Sequence, residues 1–399
     1  MLQSKKDKIK KTLAETKSRR KDLVCITVSC KFDSSHFNRK SKEYFKRVFL
    51  EAKWFYNFLL TQDLKNFDTK IKNVTVKTKD GEEIRELKVL GSKMKQAILQ
   101  RAIDNCVGLK ESKLKGRRIG KLKFKTVINS IPLTQLGNTF RVVSKNHVEI
   151  QKCKQTLRIQ GLKQLKDFEE TATATLVRRP SGLYLKVTGY RKPKIRINLG
   201  TLGIDMGIKD NLTFSNGIQV NLKIPISNSI KLKQRKISKS VKGSKNRWKA
   251  RLRFQRANEK RNNRKKGSVN KIISYLRRFE INIQDEMIKQ WQSGRFGKAI
   301  SESAMGEIKS ELKKDSHTLV VPRSFPSTKL CPSCGSLNTI ALSERIYKCD
   351  CGYEKHRDLH SANNILMERK NYKPVENETT VEMLEYFKTI PNISVSFIQ

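Results

Sequence analysis

The sequence predicts a multidomain α/β protein, and three observations carry that expectation. At 399 residues the chain is too long for one comfortable core, so two or three domains are expected. Its texture changes twice, from helical periodicity to short β-rich runs near residue 118, then to alternating strands and helices from Arg196. Toward the C-terminal end four cysteines crowd into LCPSCGSLNTIALSERIYKCDCGYEKHRD, a stretch that closes on Asp358.

Charge narrows the class of partner. Lys and Arg number 86 against 37 Asp and Glu, a formal +49. A surplus of that size repels itself unless a polyanion neutralises it, so nucleic acid is the expected partner. No apolar run approaches the length of a bilayer span, and no membrane partner is expected. The opening stretch MLQSKKDKIKKTLAETKSRRKD is basic without an apolar core behind it, which argues against a signal peptide. Cys25, Cys30, Cys106 and Cys153 are scattered among apolar or basic neighbours and read as inert thiols. The eight cysteines together suit a reducing compartment with one metal site rather than a disulfide framework.

Residues 1–22 read as a flexible arm, either lying along phosphates or plainly disordered. LVCITVSCKF (23–32) is β-rich and reads as a strand. Phe45, Phe49, Ala52, Phe55 and Leu59 then recur at helical spacing, which predicts a helix whose aromatic stripe is core rather than a base-stacking platform. A second amphipathic helix is expected near 92–113. Between 118 and 190, KLKFKT, FRVV, HVEIQ, TLRIQ, ATATLVRR and LYLKVTGY read as closely spaced strands of a small barrel or sandwich. The helices of 41–113 are then an insertion after its first strand.

From Arg196, INLGTLGIDMG, LTFSNG and IQVNLKI predict three successive strands. Residues 231–266 hold 17 Lys and Arg and one acid, Glu259, with Trp248 and Leu252 as a thin apolar edge. They read as one surface helix touching a nucleic-acid backbone, with Lys245, Arg247, Arg251 and Arg253 as candidate contacts. RFEINIQDE and HTLVVP predict two more strands, and 297–313 a helix. The last segment, 371–399, is less basic and reads as a loosely attached tail.

Three acids could carry chemistry. Asp205 ends the apolar strand of GIDMGIKD beside Gly207, where a metal or phosphate could approach with little steric cover. Asp285 and Glu286 end a later strand. Asp358 starts a helix in HRDLHSANNIL, with Ala362, Ile365 and Leu366 turned to a core. Acids from three elements could converge on two divalent cations about 4 Å apart, which activate water and stabilise the leaving oxygen of a phosphodiester. Oxygen ligands favour Mg²⁺ or Mn²⁺. The cysteines carry a second site. Cys331, Cys334, Cys349 and Cys351 form C-x2-C and C-x-C pairs with fourteen residues between them, suited to a closed, structural Zn²⁺. His356 and His360 are possible substitutes, but the four thiols are complete without them.

Taken together, GIDMGIKD, QDEMIKQW, VPRSFPSTKLCPSCG, CDCGYE and HRDLHSANNIL resemble the TnpB family of transposon-encoded nucleases and the related compact type V CRISPR effectors. The motifs span about 200–368 in the family's order; GKLKFKTVINSIPL and the long basic stretch are similar to family segments as well. The resemblance implies an RNA-guided, Mg²⁺-dependent DNA endonuclease acting in a prokaryotic cytoplasm, at the nucleoid, with guide RNA and target double-stranded DNA as partners. It implies an RNase H-like, RuvC-type nuclease domain over 196–325 and 353–370, interrupted by a zinc ribbon at 326–352. The ribbon would help to load the DNA strand. By the same resemblance 23–40 and 114–195 correspond to a wedge β-barrel, and 41–113 to a helical recognition insert gripping guide and target. Base pairing would read sequence, while the protein reads duplex shape and a short flanking motif.

One departure stands out. The family's second motif is a strand followed by Glu-Asp-Leu, and here Gln284 occupies the Glu position. Strand alternation turns 284 and 286 to one face, so Glu286, rather than Asp285, is expected as the second catalytic and Mg²⁺-binding acid beside Asp205 and Asp358. Arg357 could touch the scissile phosphate or pair with an acid; Asn364 could brace the site or sit on the helix surface. Two alternatives remain: an RNA-guided DNA-binding repressor with an impaired nuclease, and an RNase H-fold transposase. The order Asp…Glu…Asp, with the ribbon before the last acid, argues against the transposase.

Overall fold

The computed structural model describes residues 5–78, 81–341 and 343–398, and the chain divides into two compact units, Met1–Lys194 and Ile195–Gln399. The division falls one residue from the boundary at which the sequence changes texture.

The first unit is built on an antiparallel sheet of seven strands. Its central strand, Val24–Phe32, pairs along nearly its whole length with Gly182–Arg191 and at its end with Leu157–Gln160. Between the first strand and the rest of the sheet the chain inserts helix Arg39–Leu59, a hairpin of Asn73–Lys77 with Glu82–Glu86, and helix Ser92–Leu114. Asn38 caps the first helix, accepting from Ser41 N at 2.8 Å. Phe45, Phe49, Ala52, Phe55 and Leu59 are all buried, so the aromatic stripe is core.

The helices of 41–113 follow the first strand, and their apolar face and the sheet's inner face (Val28, Cys30, Leu176, Leu185, Val187) make one continuous core. Three expectations for this unit change. Among the described residues the pairing runs in open order from Ser130–Leu133 at one edge to Phe140–Ser144 at the other, so barrel closure is not part of the observed sheet. KLKFKT forms no strand. It runs as an extended segment held by Asn57, whose side-chain amide bonds both the N–H and the C=O of Lys125, at 2.8 and 3.0 Å. The basic arm also takes form: Lys5–Arg19 is helical, Arg19 and Arg20 pair with Glu170, and the Arg20 guanidinium lies 4.3 Å from the Tyr190 ring centre.

The second unit carries a mixed sheet of six strands. Thr201–Asp205 lies inside it, antiparallel to Leu212–Phe214 and parallel to Glu280–Gln284, which is parallel in turn to Thr318–Val321. Counting the first five strands in chain order, the sheet runs 3-2-1-4-5, with Ile218–Leu222 beyond Leu212–Phe214. The parallel pairs are joined by helical crossovers, as parallel strands require. The central strands are buried on both faces, through Leu202, Ile204, Ile281 and Ile283 on one and Thr201 and Asn282 on the other, all at or below 2 % exposure.

The basic stretch is two helices, not one. Asn228–Ser238 ends at a turn containing Gly243 (φ +84°), and Lys245–Leu276 begins at its Ser244 cap. Only the far end of the long helix enters the core, through Val269, Ile272, Ile273, Tyr275 and Leu276. The segment 297–313 also splits, at Ala304 with φ +61°, into Gly297–Ser303 and Met305–Leu312.

The C-terminal segment is no loose tail. Ile393–Phe397 pairs antiparallel with Ile218–Leu222 as the sixth strand, and helix Asn377–Lys388 buries Met383 and Phe387 completely. Composition concealed this because only one face of the short helix is apolar, and the strand alternates Ile, Val and Phe with serine.

Candidate active site and cysteine cluster

Asp205 is the last residue of the central strand, and its backbone stands one position beyond the Ile204–Ile283 pair. Helix Arg357–Met367 lies across this strand at unusually close range. A Cβ on Gly203 would sit 2.1 Å from Ala362 O and 2.7 Å from Leu366 N, so only glycine admits the helix there. Asn282, on the neighbouring strand and fully buried, closes the helix's C-terminal end. Its Nδ2 donates to Ile365 O and Leu366 O, both at 3.0 Å, and its Oδ1 accepts from Arg369 at 2.9 Å. At the other end the His356 imidazole accepts from Asp358 N at 3.3 Å, capping the turn that carries Asp358. The carboxylate in the first turn also suits the helix dipole.

These supports bring Asp205, Asp358 and Glu286 into one electrostatic neighbourhood. The Asp205 carboxyl is pushed up to about 7, first by burial and then by the charges of Asp358 and Glu286, against the Ser361 hydrogen bond and Arg357, which pull it down. Asp205 keeps some surface open to solvent even though dense protein surrounds its carboxyl. Asp358 has Arg345 3.8 Å away. Arg357 donates to Ala341 O at 3.3 Å, within the ribbon, while its charge still reaches Asp205.

The second motif resolves differently from simple strand alternation. The strand ends at Gln284, Glu286 N turns back to Gln284 O at 2.9 Å, and Lys309 Nζ donates to Glu286 O. Beyond this turn the charge of Glu286 reaches Asp205. Asp285 faces the other way, into Lys309 (2.8 Å) and Lys313 (2.6 Å), whose hydrogen bonds and charges hold its carboxyl down to about 2. A carboxylate committed to two ammonium groups is a poor candidate for a metal ligand.

Four cysteine sulfurs form the second constellation. Cys331, Cys334, Cys349 and Cys351 bring their Sγ atoms within 4.8 Å of one another, with 3.6 Å between Cys331 and Cys351 and 3.5 Å between Cys334 and Cys349. Tetrahedral zinc with sulfur ligands at about 2.3 Å sets its sulfurs about 3.8 Å apart, so the four thiols stand close to the arrangement that Zn²⁺ takes. The Ser336 hydroxyl, 3.2 Å from Cys349, helps lower that thiol to about 6. Among the described residues this is the group of potential ligands that comes so close together; the three acids stand further apart. His356 and His360 are not needed for the set. His360 is fully buried and lies flat against Tyr347 of the ribbon, with ring centres 3.9 Å apart and planes at 14°. Asn364 Nδ2 ties down Ser327 O and Leu330 O, each at 2.8 Å. Asn364 is thus a brace between the ribbon's entry and the acid-bearing helix.

Of the basic candidates, Lys245, Arg251 and Arg253 are exposed on the long helix. Arg247 has a local task, since its guanidinium donates to Ile237 O (2.9 Å) and Ser240 O (2.6 Å) and closes the preceding helix. Sequence reasoning passed over Ser327, Ser361 and Tyr347. Ser361 could have been found by its spacing, one helical turn after Asp358; Ser327 and Tyr347 have no such signal.

The chain is similar to known proteins over part of its length. Residues 307–365 match the family model described as Cas12f1-like, TNB domain, a span that includes the four cysteines and ends inside the helix carrying Asp358. A curated protein of Streptomyces pristinaespiralis named "Putative RNA-guided DNA endonuclease" is 33% identical over 177 residues, which are 41% of this chain and 44% of that protein. The chain therefore matches less than half of that relative's length. A solved structure titled "Cryo-EM structure of the Cas12f1-sgRNA-target DNA complex" superposes at a TM-score of 0.48 and 14% identity, over 91% of this chain and 87% of that one. The family-model match and the curated relative are in line with the resemblance of the motifs to TnpB and compact type V proteins.

Proposed function

We propose that the protein is an RNA-guided DNA endonuclease that hydrolyses phosphodiesters in a RuvC-like site formed by Asp205, Glu286 and Asp358. The observation that carries this reading is Asp205 at the end of its strand within reach of the charges of Asp358 and Glu286 from two other segments, which add to burial in pushing it up to about 7. Like charges held together in this way are relieved by a divalent cation. The strand order 3-2-1-4-5, with the first acid on strand 1, supports an RNase H-type nuclease core. Bound Mg²⁺ or Mn²⁺ would supply water activation and stabilisation of the leaving oxygen. The chain's own part is to hold the acids: Gly203 and Asn282 seat the helix, His356 caps it, and the Asp285–Lys309 pair turns Glu286 inward.

Guide RNA and target DNA as partners are supported by the name of the curated relative and by the +49 charge. The first unit would then serve as wedge and recognition insert, and the cysteine ribbon, with its Zn²⁺, as a platform beside the cleft. Among the described residues no helix is long and apolar enough to cross a membrane.

The test begins with sequencing the RNA that co-purifies when the protein is expressed with its native flanking DNA. A discrete RNA with a constant structured part and a variable end is expected, and it should direct cuts in matching DNA that stop with EDTA. Full cleavage by Asp205→Ala or Asp358→Ala would rule out the proposed site.

A further inference from the structure

Gln284 stands where the resembling family has its catalytic glutamate, and its surroundings explain why an amide is there. The side chain is 6 % exposed. Its Nε2 faces three backbone carbonyls of the loop leading to the ribbon: Phe325 O at 2.6 Å, and Pro322 O and Arg323 O, both at 3.3 Å. Its Oε1 accepts from the Ser327 hydroxyl at 2.7 Å. Ser361 Oγ lies 2.9 Å from Asp205 Oδ1 and 3.1 Å from Ser327 Oγ, and its single proton serves one of these contacts at a time: the ionised Asp205, or Ser327 when Asp205 is protonated and itself donates to Ser361. Ser327 and Ser361 are also buried, at 4 % and 0 %. A line of four side chains thus runs from the second motif through the ribbon's entry loop and the third-motif helix to the first acid.

We infer that Gln284 is a positioning residue, which fixes the Asp205 carboxylate through Ser327 and Ser361 and anchors the ribbon's entry loop to the same point. The inference rests on the nuclease reading of Asp205. An ionised glutamate could not take this place. Its oxygens would meet three carbonyl oxygens with no proton between them, in a site closed to water, and burial of such an unpaired charge is strongly unfavourable. The neutral amide offers two N–H donors to share among the three carbonyls and the one acceptor that Ser327 needs. The acid's role therefore passes to Glu286, beyond the turn, while position 284 becomes scaffold.

The test compares Gln284→Glu, Ser361→Ala, Ser361→Thr and Asp205→Asn with the wild type, each as the full chain with its guide RNA. Two quantities are read: guide-directed cleavage, and Mn²⁺ binding followed by electron paramagnetic resonance. Thermal melts check that each variant is folded. The expected result is that Gln284→Glu and Ser361→Ala each lower cleavage at least about tenfold and weaken Mn²⁺ binding, with Ser361→Thr keeping most of both. A gain of cleavage in Gln284→Glu would overturn the inference, because it would mark position 284 as a vacated catalytic acid. Unchanged Mn²⁺ binding in both Gln284→Glu and Ser361→Ala, with a loss in Asp205→Asn, would overturn the positioning line alone. Unchanged Mn²⁺ binding in Asp205→Asn would overturn the nuclease site and the inference with it. Should Gln284→Glu fail to fold, the contrast between Ser361→Ala and Ser361→Thr decides.

Discussion

Asp205 shows how one side chain records its surroundings. Its folded-state value of about 7 lies above the ordinary 3.8, so the folded chain holds a proton that the unfolded chain has already released. Stability therefore falls as pH rises between those two values, and below both the effect is absent. Asp205→Asn cannot ionise and escapes this loss. In divalent-free buffer it is expected to melt at least about 2 °C above the wild type at pH 8, with no difference at pH 4. Coincident melts at pH 8 would show that the carboxylate ionises there without cost. Asp285 has the opposite bias, held down by Lys309 and Lys313. Glu286→Gln should accordingly abolish cleavage, by about a hundredfold or more, whereas Asp285→Asn should retain measurable cutting. A parallel loss in both would reassign the second acid.

At the scale of elements, the decisive contact is helix Arg357–Met367 against strand Thr201–Asp205. Gly203→Ala places a methyl against the helix backbone rather than against a movable side chain, so strand and helix must part. The expected cost is about 1–3 kcal/mol, the range for overpacking, together with loss of cleavage. Denaturant melts check the first and a guide-directed cutting assay the second. The cysteine ribbon makes its own prediction. Elemental analysis should find one zinc per chain, lost in Cys349→Ser. Hydrogen exchange should then quicken across 326–356, where Tyr347 stacks on His360, and stay slow in strand Thr201–Asp205. The cysteine spacing announced the cluster because its ligands are near neighbours in the chain. The approach of Gly203 to Ala362 was hidden because it joins segments far apart in sequence.

At the scale of the molecule, each unit folds around its own core, and the second core needs the C-terminal segment. Phe387 stacks on Phe214 at 5.8 Å and meets Tyr275 edge-on at 5.5 Å. A chain ending at Lys370 loses that aromatic, Met383 and the sixth strand together. Removal of one buried Phe alone costs about 3–5 kcal/mol, so the shortened chain is expected to be insoluble or unfolded. Recovery of a cooperative melt from it would return 371–399 to the status of a tail. The charge acts at this scale too. Guide RNA binding should weaken steeply as salt rises, and replacing the exposed Lys245, Arg251 and Arg253 by Gln should flatten that dependence by about three charges' worth.

Patterns that lie close together in the chain were legible by themselves: the division near residue 195, the aromatic helix core, the cysteine set, and Asp205 and Asp358 at the ends of their elements. Each depends on local periodicity or short spacing, which backbone geometry translates directly into structure. The bend that carries Glu286 inward, the amide environment of Gln284, the clamp made by Arg247 and the sixth strand from the C-terminal segment were decided only in three dimensions. The Gln284 environment and the sixth strand depend on partners far away in the chain, and the bend and the Arg247 clamp on whether a polar group finds a donor or an acceptor at one spot, which one-dimensional spacing does not contain.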